Sequence, residues 1–162
     1  RRNVVTGATL AFRSEFRPLV LPIPRFWQHD AWIALLISAV ASCKAIPDPL
    51  ILYRQHATQV QGERVLSFYR QYQIAKREGA EKFALVAMRH TAASQRLATW
   101  DQAGRIEPAV RALRQKSEHF EAKISIRRAR YSRLRMIARE LVCGRYRRYS
   151  RGWKSLAQDL FL

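Results

Sequence analysis

The sequence predicts an α/β fold for residues 1–62 and a mostly helical, basic extension for residues 63–162. Three observations lead to this division. The first part opens with a strand-like run of β-branched and small residues at Val4–Arg13. Only one proline, Pro108, occurs after Gly62. Beyond Gly62, apolar residues recur every three or four positions, as they do on one face of a helix.

Strand-like and helical segments alternate in the first part. The run at Val4–Arg13 predicts a strand. The two prolines of Leu21–Pro24 prevent regular structure there, because proline lacks a backbone donor and fixes φ. Asp30 then precedes a continuous apolar run, which predicts a buried helix. Short extended segments at Lys44–Pro47 and Leu50–Arg54 follow, so the predicted order is strand, loop, helix, strand and strand.

The second part is predicted to be helical along its length. Its apolar periodicity indicates helices near residues 63–77, 80–102, 106–142 and 150–161. The predicted breaks fall at Glu78-Gly79, Gly104 and Gly144, because glycine commonly ends a helix. No internal repeat is evident in the sequence alone.

Positive charge dominates the composition. The 162 residues include 30 Lys and Arg against 12 Asp and Glu, for a net charge of +18. Between Lys123 and Lys154, 12 basic residues stand against the single acid Glu140. Such a field favours an anionic partner. Three partners stay open: an anionic membrane surface, nucleic acid, and acidic residues of a part of the protein outside this chain.

Aromatic residues favour the membrane among these partners. They interleave with the arginines at Tyr131, Tyr146, Tyr149, Trp153 and Phe161, a composition typical of interfacial helices. Nucleic acid ranks second, because the sequence contains no helix-turn-helix, zinc-finger or RNA-binding signature.

The sequence also bears on location. The longest near-apolar run, Ala31–Cys43, is about 13 residues, too short to span a bilayer. Cys43 and Cys143 have no paired spacing, and free thiols in a reducing compartment are expected. We therefore expect a cytoplasmic protein, peripheral at the inner face of the cell membrane.

Asp30 is the main candidate for chemistry. Asp is a preferred N-cap residue, so Asp30 has a structural role available at the start of the predicted helix. A carboxylate at a helix start is also held rigidly, and the helix dipole favours negative charge there. A fixed carboxylate is a competent general base. The sequence leaves both roles open, and they are compatible.

The other candidates are weaker when each is taken alone. His56 closes the polar cluster Tyr53–His56 after a strand-like run, where α/β sheets usually build ligand sites. In that position His56 suits a divalent metal and Arg54 a phosphate. A lone histidine such as His29 is more often structural. Gly7 permits either a close backbone approach to a ligand or a bulge.

Three motifs in order carry a resemblance to a known family. They are VVTGATLAFR, PIPRFWQHDAW and DPLILYRQH. Together they resemble the C-terminal half of a family 2 glycosyltransferase, closest to bacterial enzymes of the rhamnosyltransferase type. The resemblance covers residues 3–62 and continues more weakly into Gly144–Trp153. It implies the C-terminal, acceptor-side part of a GT-A Rossmann-like domain that transfers a sugar from a nucleotide donor with inversion.

The resemblance also implies residue roles. Asp30 matches the general base that acts on the acceptor hydroxyl, and His56 matches a histidine that joins the donor-bound metal in some members. Arg54 and Gln55 would lie beside the donor diphosphate. The remaining matches are Thr6, Gly7 and Ala8 lining the site, with Trp27 and His29 on its acceptor side. The implied cofactor is a divalent metal, Mg or Mn, and the implied acceptor is a glycan or lipid-linked sugar of the cell envelope.

The chain departs from this family in one respect. It contains no Asp-x-Asp metal motif, and the nucleotide-binding half is absent. We therefore expect a truncated enzyme that is inactive alone, with the carboxylate ligands of the metal in the missing N-terminal half. The alternative is a non-enzymatic basic helical module that binds an anionic membrane or nucleic acid.

Overall fold

The structure is a computed structural model that describes residues 5–52, 79–101, 104–129 and 131–161. The chain divides into two compact units, Arg1–Ile74 and Ala75–Leu162, called here the N-terminal and C-terminal units. The predicted domain boundary near Gly62 and the predicted helix at 63–77 lie outside the described residues. None of the described helices is both long and apolar enough to cross a membrane.

The N-terminal unit is built around one helix. Two 3₁₀ helices, Gly7–Thr9 and Ser14–Phe16, lead into the short helix α1 (Arg17–Val20), and α2 follows at His29–Val40. α1 packs against α2. The buried side chains come from these two helices: Leu19, Val20, Trp32, Ile33, Leu36 and Ile37. Trp32 also donates its Nε1–H to the carbonyl of Val20 at 2.8 Å, which joins the two helices by a buried hydrogen bond.

The predicted α/β fold is wrong for the described residues, which contain helices and irregular segments but no strand. Within the run predicted as a strand, the described residues form a 3₁₀ turn at Gly7–Thr9. The carbonyl of Thr6 accepts from the backbone N–H of Thr9 at 2.9 Å, and that of Gly7 accepts from Leu10 at 3.4 Å. A strand needs a neighbouring strand for its polar backbone groups, and here a local turn satisfies several of them. Residues 44–52 are likewise irregular where short extended segments were predicted.

The C-terminal unit starts from a helical hairpin. α3 (Gly79–Trp100) and α4 (Glu107–Arg128) pack along each other. The rings of Phe83 and Phe120 lie 5.7 Å apart near one end of the pair. In the turn, the Asp101 carboxylate accepts the backbone N–H groups of Arg105 at 3.0 Å and Ile106 at 2.7 Å. The predicted helix at 80–102 and the break at Gly104 are confirmed, and Gly104 has a positive φ of 67°.

Three shorter helices complete this unit. They are α5 (Arg133–Val142), α6 (Arg145–Tyr149) and α7 (Trp153–Phe161). A small apolar core joins Ile126 of α4 to Ile137 of α5 and Tyr146 of α6. The predicted break at Gly144 is confirmed, with a φ of 65°. The single helix predicted over 106–142 is wrong, because the backbone at Ala129 is extended and separates α4 from α5.

Candidate functional site

The N-terminal end of α2 brings together most of the predicted site residues. His29 is the first residue of α2 and Asp30 the second, while Gln28 occupies the N-cap position. Asp30 is therefore inside the first turn, and Gln28 holds the N-cap position that the sequence left open for Asp30. Its Oδ1 accepts the backbone N–H of Ala31 at 2.6 Å. One of the free N–H groups of the helix start is thus satisfied by Asp30.

Gly7 lies directly against the His29 ring. A Cβ added at Gly7 would be 2.3 Å from His29 Nε2, far inside van der Waals contact. The sequence left open a close approach to a ligand or a bulge at Gly7, and the structure places the imidazole of His29 there. Thr6 and Ala8, on either side of Gly7, are exposed. The segment Thr6–Ala8 and the start of α2 thus share one location in the N-terminal unit.

Trp27 borders the same helix start. Its ring lies 5.5 Å from the ring of Trp32, with the two planes tilted by 54°. Trp32 is buried and Trp27 is half-buried. An indole held in this way offers a flat apolar surface near the start of α2.

The donor-side candidates cannot be placed in this arrangement. Arg54, Gln55 and His56 lie outside the described residues. Among the described residues, no group of three or more His, Cys, Asp or Glu side chains is placed to hold a metal ion. The predictions of a metal ligand at His56 and of diphosphate contacts at Arg54 and Gln55 remain predictions.

The C-terminal unit contains a second cluster of polar side chains, which the sequence analysis missed. α4 presents His119 and Lys123, four residues apart and therefore on one face. His119 Nδ1 lies 2.7 Å from Glu140 Oε2 of α5. Lys123 Nζ donates to Asp159 Oδ2 of α7. All four residues are buried, so α5 and α7 each dock on α4 through one buried carboxylate.

Further hydrogen bonds surround these two pairs. Tyr146 donates its hydroxyl to Asp159 Oδ2 at 2.9 Å. The Arg145 guanidinium donates to Glu140 Oε1 at 3.2 Å. Arg133 donates to the backbone carbonyl of Asp159 at 2.8 Å and 2.5 Å. Each buried carboxylate therefore has more than one donor, although the donors of Asp159 both reach Oδ2 and its buried Oδ1 has no hydrogen-bond partner among the described residues.

Burial sets the protonation of the ring and the phenol in this cluster. It lowers the pKa of His119, although Glu140 opposes the effect. It also raises the pKa of Tyr146, and the charge of Asp159 adds to that rise. A neutral imidazole donates from one nitrogen and accepts at the other. Since the carboxylate of Glu140 accepts, His119 carries its proton on Nδ1, and its Nε2 accepts from the Ser150 hydroxyl at 2.7 Å.

The order Ser150, His119, Glu140 repeats the hydroxyl, imidazole and carboxylate of hydrolytic triads. The imidazole is 0% exposed. Aromatic rings surround it, with centroids at 5.5 Å for Phe120, 5.3 Å for Tyr146 and 6.3 Å for Tyr149. We assign this chain of hydrogen bonds a structural role, because the base of a hydrolytic triad must also reach the leaving group.

A weak sequence signal could have located the second cluster. Nine residues of α5, LRMIARELV, align without gaps with nine of α7, WKSLAQDLF. Both segments carry a basic residue at the second position and an acid at the seventh, and those acids are Glu140 and Asp159. Only Ala138/Ala157 and Leu141/Leu160 are identical between the two segments, so the match is too degenerate to count as an internal repeat. Its significance becomes visible only when both acids are seen to be buried.

Comparison of the chain with protein-family models, with curated proteins and with solved structures finds no match.

Proposed function

We propose that residues 1–62 form the acceptor side of an inverting glycosyltransferase in which Asp30 is the general base. The observation that carries this proposal is the location of Asp30 in the first turn of α2, beside an imidazole in contact with Gly7. Residues from two of the three family-like motifs thus meet at one helix end. Only these residues support the proposal, because the described part of the chain forms no sheet of the kind that the resemblance implied.

The reaction needs a proton acceptor at the attacking hydroxyl. Oδ1 of Asp30 already accepts from Ala31, and a carboxylate has a second oxygen that can accept the hydroxyl proton. As the proton moves to Asp30, the acceptor oxygen attacks the anomeric carbon of the donor sugar. The bond from that carbon to the diphosphate breaks, and the nucleoside diphosphate leaves with the electron pair. A single displacement of this kind inverts the anomeric centre.

The neighbouring residues have positioning roles in this proposal. His29 is exposed and bordered by Gly7, so its imidazole can donate to an acceptor hydroxyl without leaving the site. Trp27 would lie against a sugar face. Thr6 and Ala8 would line the entrance on the other side.

The proposal also includes partners outside the described residues. These are a nucleotide-sugar donor, a glycan or lipid-linked acceptor, and a divalent metal for which His56 is the expected ligand in this chain. We place the protein in the cytoplasm, at the inner face of the membrane. Cys43 and Cys143 support that location, because both are exposed free thiols and such thiols persist in a reducing compartment.

The test is Asp30→Asn in the full-length protein. Asn can still accept the N–H of Ala31, so the helix start should be preserved. We expect release of nucleoside diphosphate to fall by about a thousandfold or more, because Asn cannot take a proton. Asp48→Asn, at an exposed acid of the same unit, is the matched control. An Asp30→Asn protein that folds and turns over normally would remove Asp30 from the mechanism.

A second test concerns the contact between Gly7 and His29. Gly7→Ala should displace the imidazole, because the new methyl group would occupy its position. We expect the KM for the acceptor to rise about tenfold while kcat changes less, and His29→Ala should do the same. If the two substitutions act through one contact, the double variant should be no worse than either single variant. Additive losses would show that the contact does not position the acceptor.

A further inference from the structure

α5 and α7 present the same pattern of side chains to solvent. On α5 the exposed face carries Leu134, Ala138, Leu141 and Val142, and the corresponding residues on α7 are Trp153, the half-buried Ala157, Leu160 and Phe161. We call these two sets the exposed strips. Their large side chains are 68% (Leu134), 50% (Leu141), 87% (Val142), 73% (Trp153), 40% (Leu160) and 86% (Phe161) exposed. Single exposed apolar residues are ordinary, but two matched strips are not.

Each strip lies opposite the buried carboxylate of its own helix. Leu134 and Glu140 are six residues apart on α5, as are Trp153 and Asp159 on α7. At about 100° per residue, six residues separate two side chains by 120° around the helix axis, and Ala138 and Val142, each two residues from Glu140, lie 160° from it. α5 and α7 contact each other and both pack on α4. The pairs Glu140–His119 and Asp159–Lys123 therefore turn both apolar strips outward from the same small core.

Exposed cations accompany the strips. Among the described residues between Lys123 and Lys154, the exposed basic side chains are Arg128, Arg135, Arg139, Arg147, Arg148, Arg151 and Lys154. The one acid of that segment, Glu140, is buried. Lys154 Nζ also lies 5.8 Å from the centroid of the Trp153 ring. Cations and large apolar side chains thus occupy neighbouring positions, and no carboxylate of this segment offsets the charge.

We propose that this surface, formed by the two exposed strips and their neighbouring cations, binds the headgroup region of an anionic lipid bilayer. Charge complementarity argues against a second copy of the chain, since each copy carries +18. Nucleic acid fits the cations but gives no partner to aliphatic residues such as Leu134 and Val142. An anionic bilayer supplies phosphate for the cations and acyl chains for the strips, as it does for other interfacial helices.

The test measures binding of the 162-residue chain to lipid vesicles. One set consists of phosphatidylcholine alone, and the other contains roughly 30% phosphatidylglycerol to supply negative charge. We expect flotation with the anionic vesicles and about a hundredfold weaker binding to the neutral ones. Subtracting the emission spectrum of Trp153→Phe from that of the parent protein gives the emission of Trp153. This emission should shift to the blue on binding, because Trp153 enters a less polar environment.

Two variants separate the contributions of charge and apolar contact. Arg135→Gln/Arg139→Gln/Lys154→Gln should weaken binding by about a hundredfold. Its matched control removes three exposed arginines, Arg13→Gln/Arg25→Gln/Arg105→Gln, and should weaken binding less than about threefold, because none of them belongs to a helix that carries a strip. Leu134→Ser/Trp153→Ser should weaken binding by about tenfold or more and should leave the fold intact, since both side chains are exposed.

Three results would overturn the proposal. The first is equal binding to neutral and anionic vesicles, or none to either. The second is binding that about 0.5 M salt abolishes and that Leu134→Ser/Trp153→Ser leaves unchanged, which would indicate adsorption by charge alone. The third is displacement of the protein from the vesicles by a short oligonucleotide whose binding requires the same cations but not the exposed strips. None of these assays requires glycosyl transfer, so they are independent of the test of Asp30.

Discussion

The two units differ in what their interiors contain. In the N-terminal unit the buried side chains of the described residues are apolar. The buried indole N–H of Trp32 donates to the backbone carbonyl of Val20. In the C-terminal unit the buried set includes His119, Lys123, Glu140 and Asp159. The hydrophobic effect thus packs the interior of one unit. The interior of the other also contains charged side chains, each of which needs its oppositely charged partner beside it.

The comparison shows two uses of a polar side chain. In the N-terminal unit His29 is exposed and Asp30 is half-buried, and both are the residues that our proposal places against a substrate. The buried pairs of the C-terminal unit instead fix which faces of α5 and α7 turn inward. A buried ion pair adds little net stability but strongly disfavours arrangements that leave one charge unpaired. Among the described residues, the buried charged side chains therefore lie in the unit that presents the exposed strips.

The largest expected effect is that of Asp159→Ala. It leaves the Lys123 ammonium buried without its carboxylate, and Tyr146 loses its acceptor. We expect a loss of about 3–5 kcal/mol in unfolding free energy. Hydrogen exchange should show lost amide protection in α7 and α4 and unchanged protection in α2.

A second variant tests whether charge is the cause. Asp159→Ala/Lys123→Met removes both charges and should recover most of the lost stability. Asp48→Asn, at an exposed acid, should change stability by less than about 0.5 kcal/mol. A loss below about 1 kcal/mol for Asp159→Ala would remove the distinction drawn between the two interiors.

The next effect is a loss of folding stability at low pH, which arises from histidines of the C-terminal unit. Burial and the charge of Lys116 lower the pKa of His90 from 6.5 to about 4. Below pH 6.5 the unfolded chain binds a proton at His90 that the folded chain does not bind until about pH 4. Stability therefore falls as the pH falls through this window, by about 2 kcal/mol between pH 7 and pH 5. Burial of His119 acts in the same direction.

Urea unfolding of the parent and of His90→Gln at these two pH values measures that dependence. Gln can still donate to the carbonyl of Val86, which His90 Nδ1 contacts at 2.7 Å, but it does not titrate. The variant should therefore lose about 2 kcal/mol less than the parent on acidification. An unchanged pH slope would show that His90 titrates alike in the folded and unfolded chains.

A smaller effect is expected in the N-terminal unit from Trp32→Phe. It removes the buried Nε1–H that donates to Val20 and part of the ring volume. We expect a cost of about 2 kcal/mol, visible as reduced amide protection in α2 alone. Trp100→Phe, at an exposed ring of α3, is the control. Lost amide protection in α4 would show that the effect of this substitution is not confined to the N-terminal unit.

The smallest effect belongs to Gly144, which joins α5 to α6 at a φ of 65°. Gly144→Ala should cost about 1 kcal/mol, because a Cβ disfavours this backbone conformation. Gly144→Asn should recover part of the loss, since Asn tolerates the left-handed region. Thermal unfolding of the three proteins gives the order. Equal stability of the Ala and parent proteins would show that the junction relaxes freely.

Local signals predicted much of the C-terminal unit. Apolar periodicity predicted the helix that the structure has at Gly79–Trp100, and glycine marked the breaks at Gly104 and Gly144. The break at Ala129 carries neither glycine nor proline and was missed. At that point the chain turns so that Ile137 and Glu140 of α5 can pack on α4. Tertiary contacts there outweigh local helix propensity.

The candidate site at α2 could be predicted only in part. The motif residues Asp30 and His29 were identified from their place before an apolar run, and the helix that follows them is present. The contact between Gly7 and His29 depends on how a distant segment folds back, which no local pattern encodes. The predicted strand at Val4–Arg13 was wrong for the same reason, because a strand depends on a partner elsewhere in the chain.

The sequence by itself determined the helical periodicity, the excess of positive charge and the position of an acid at the start of an apolar helix. These properties depend on residues close together in the chain. The tertiary structure decided which charges are buried and which face solvent. Glu140 and Asp159 pair with His119 and Lys123, which lie 21 and 36 positions away in the sequence. Pairing depends on three-dimensional proximity, so burial of these charges could be established only from the fold.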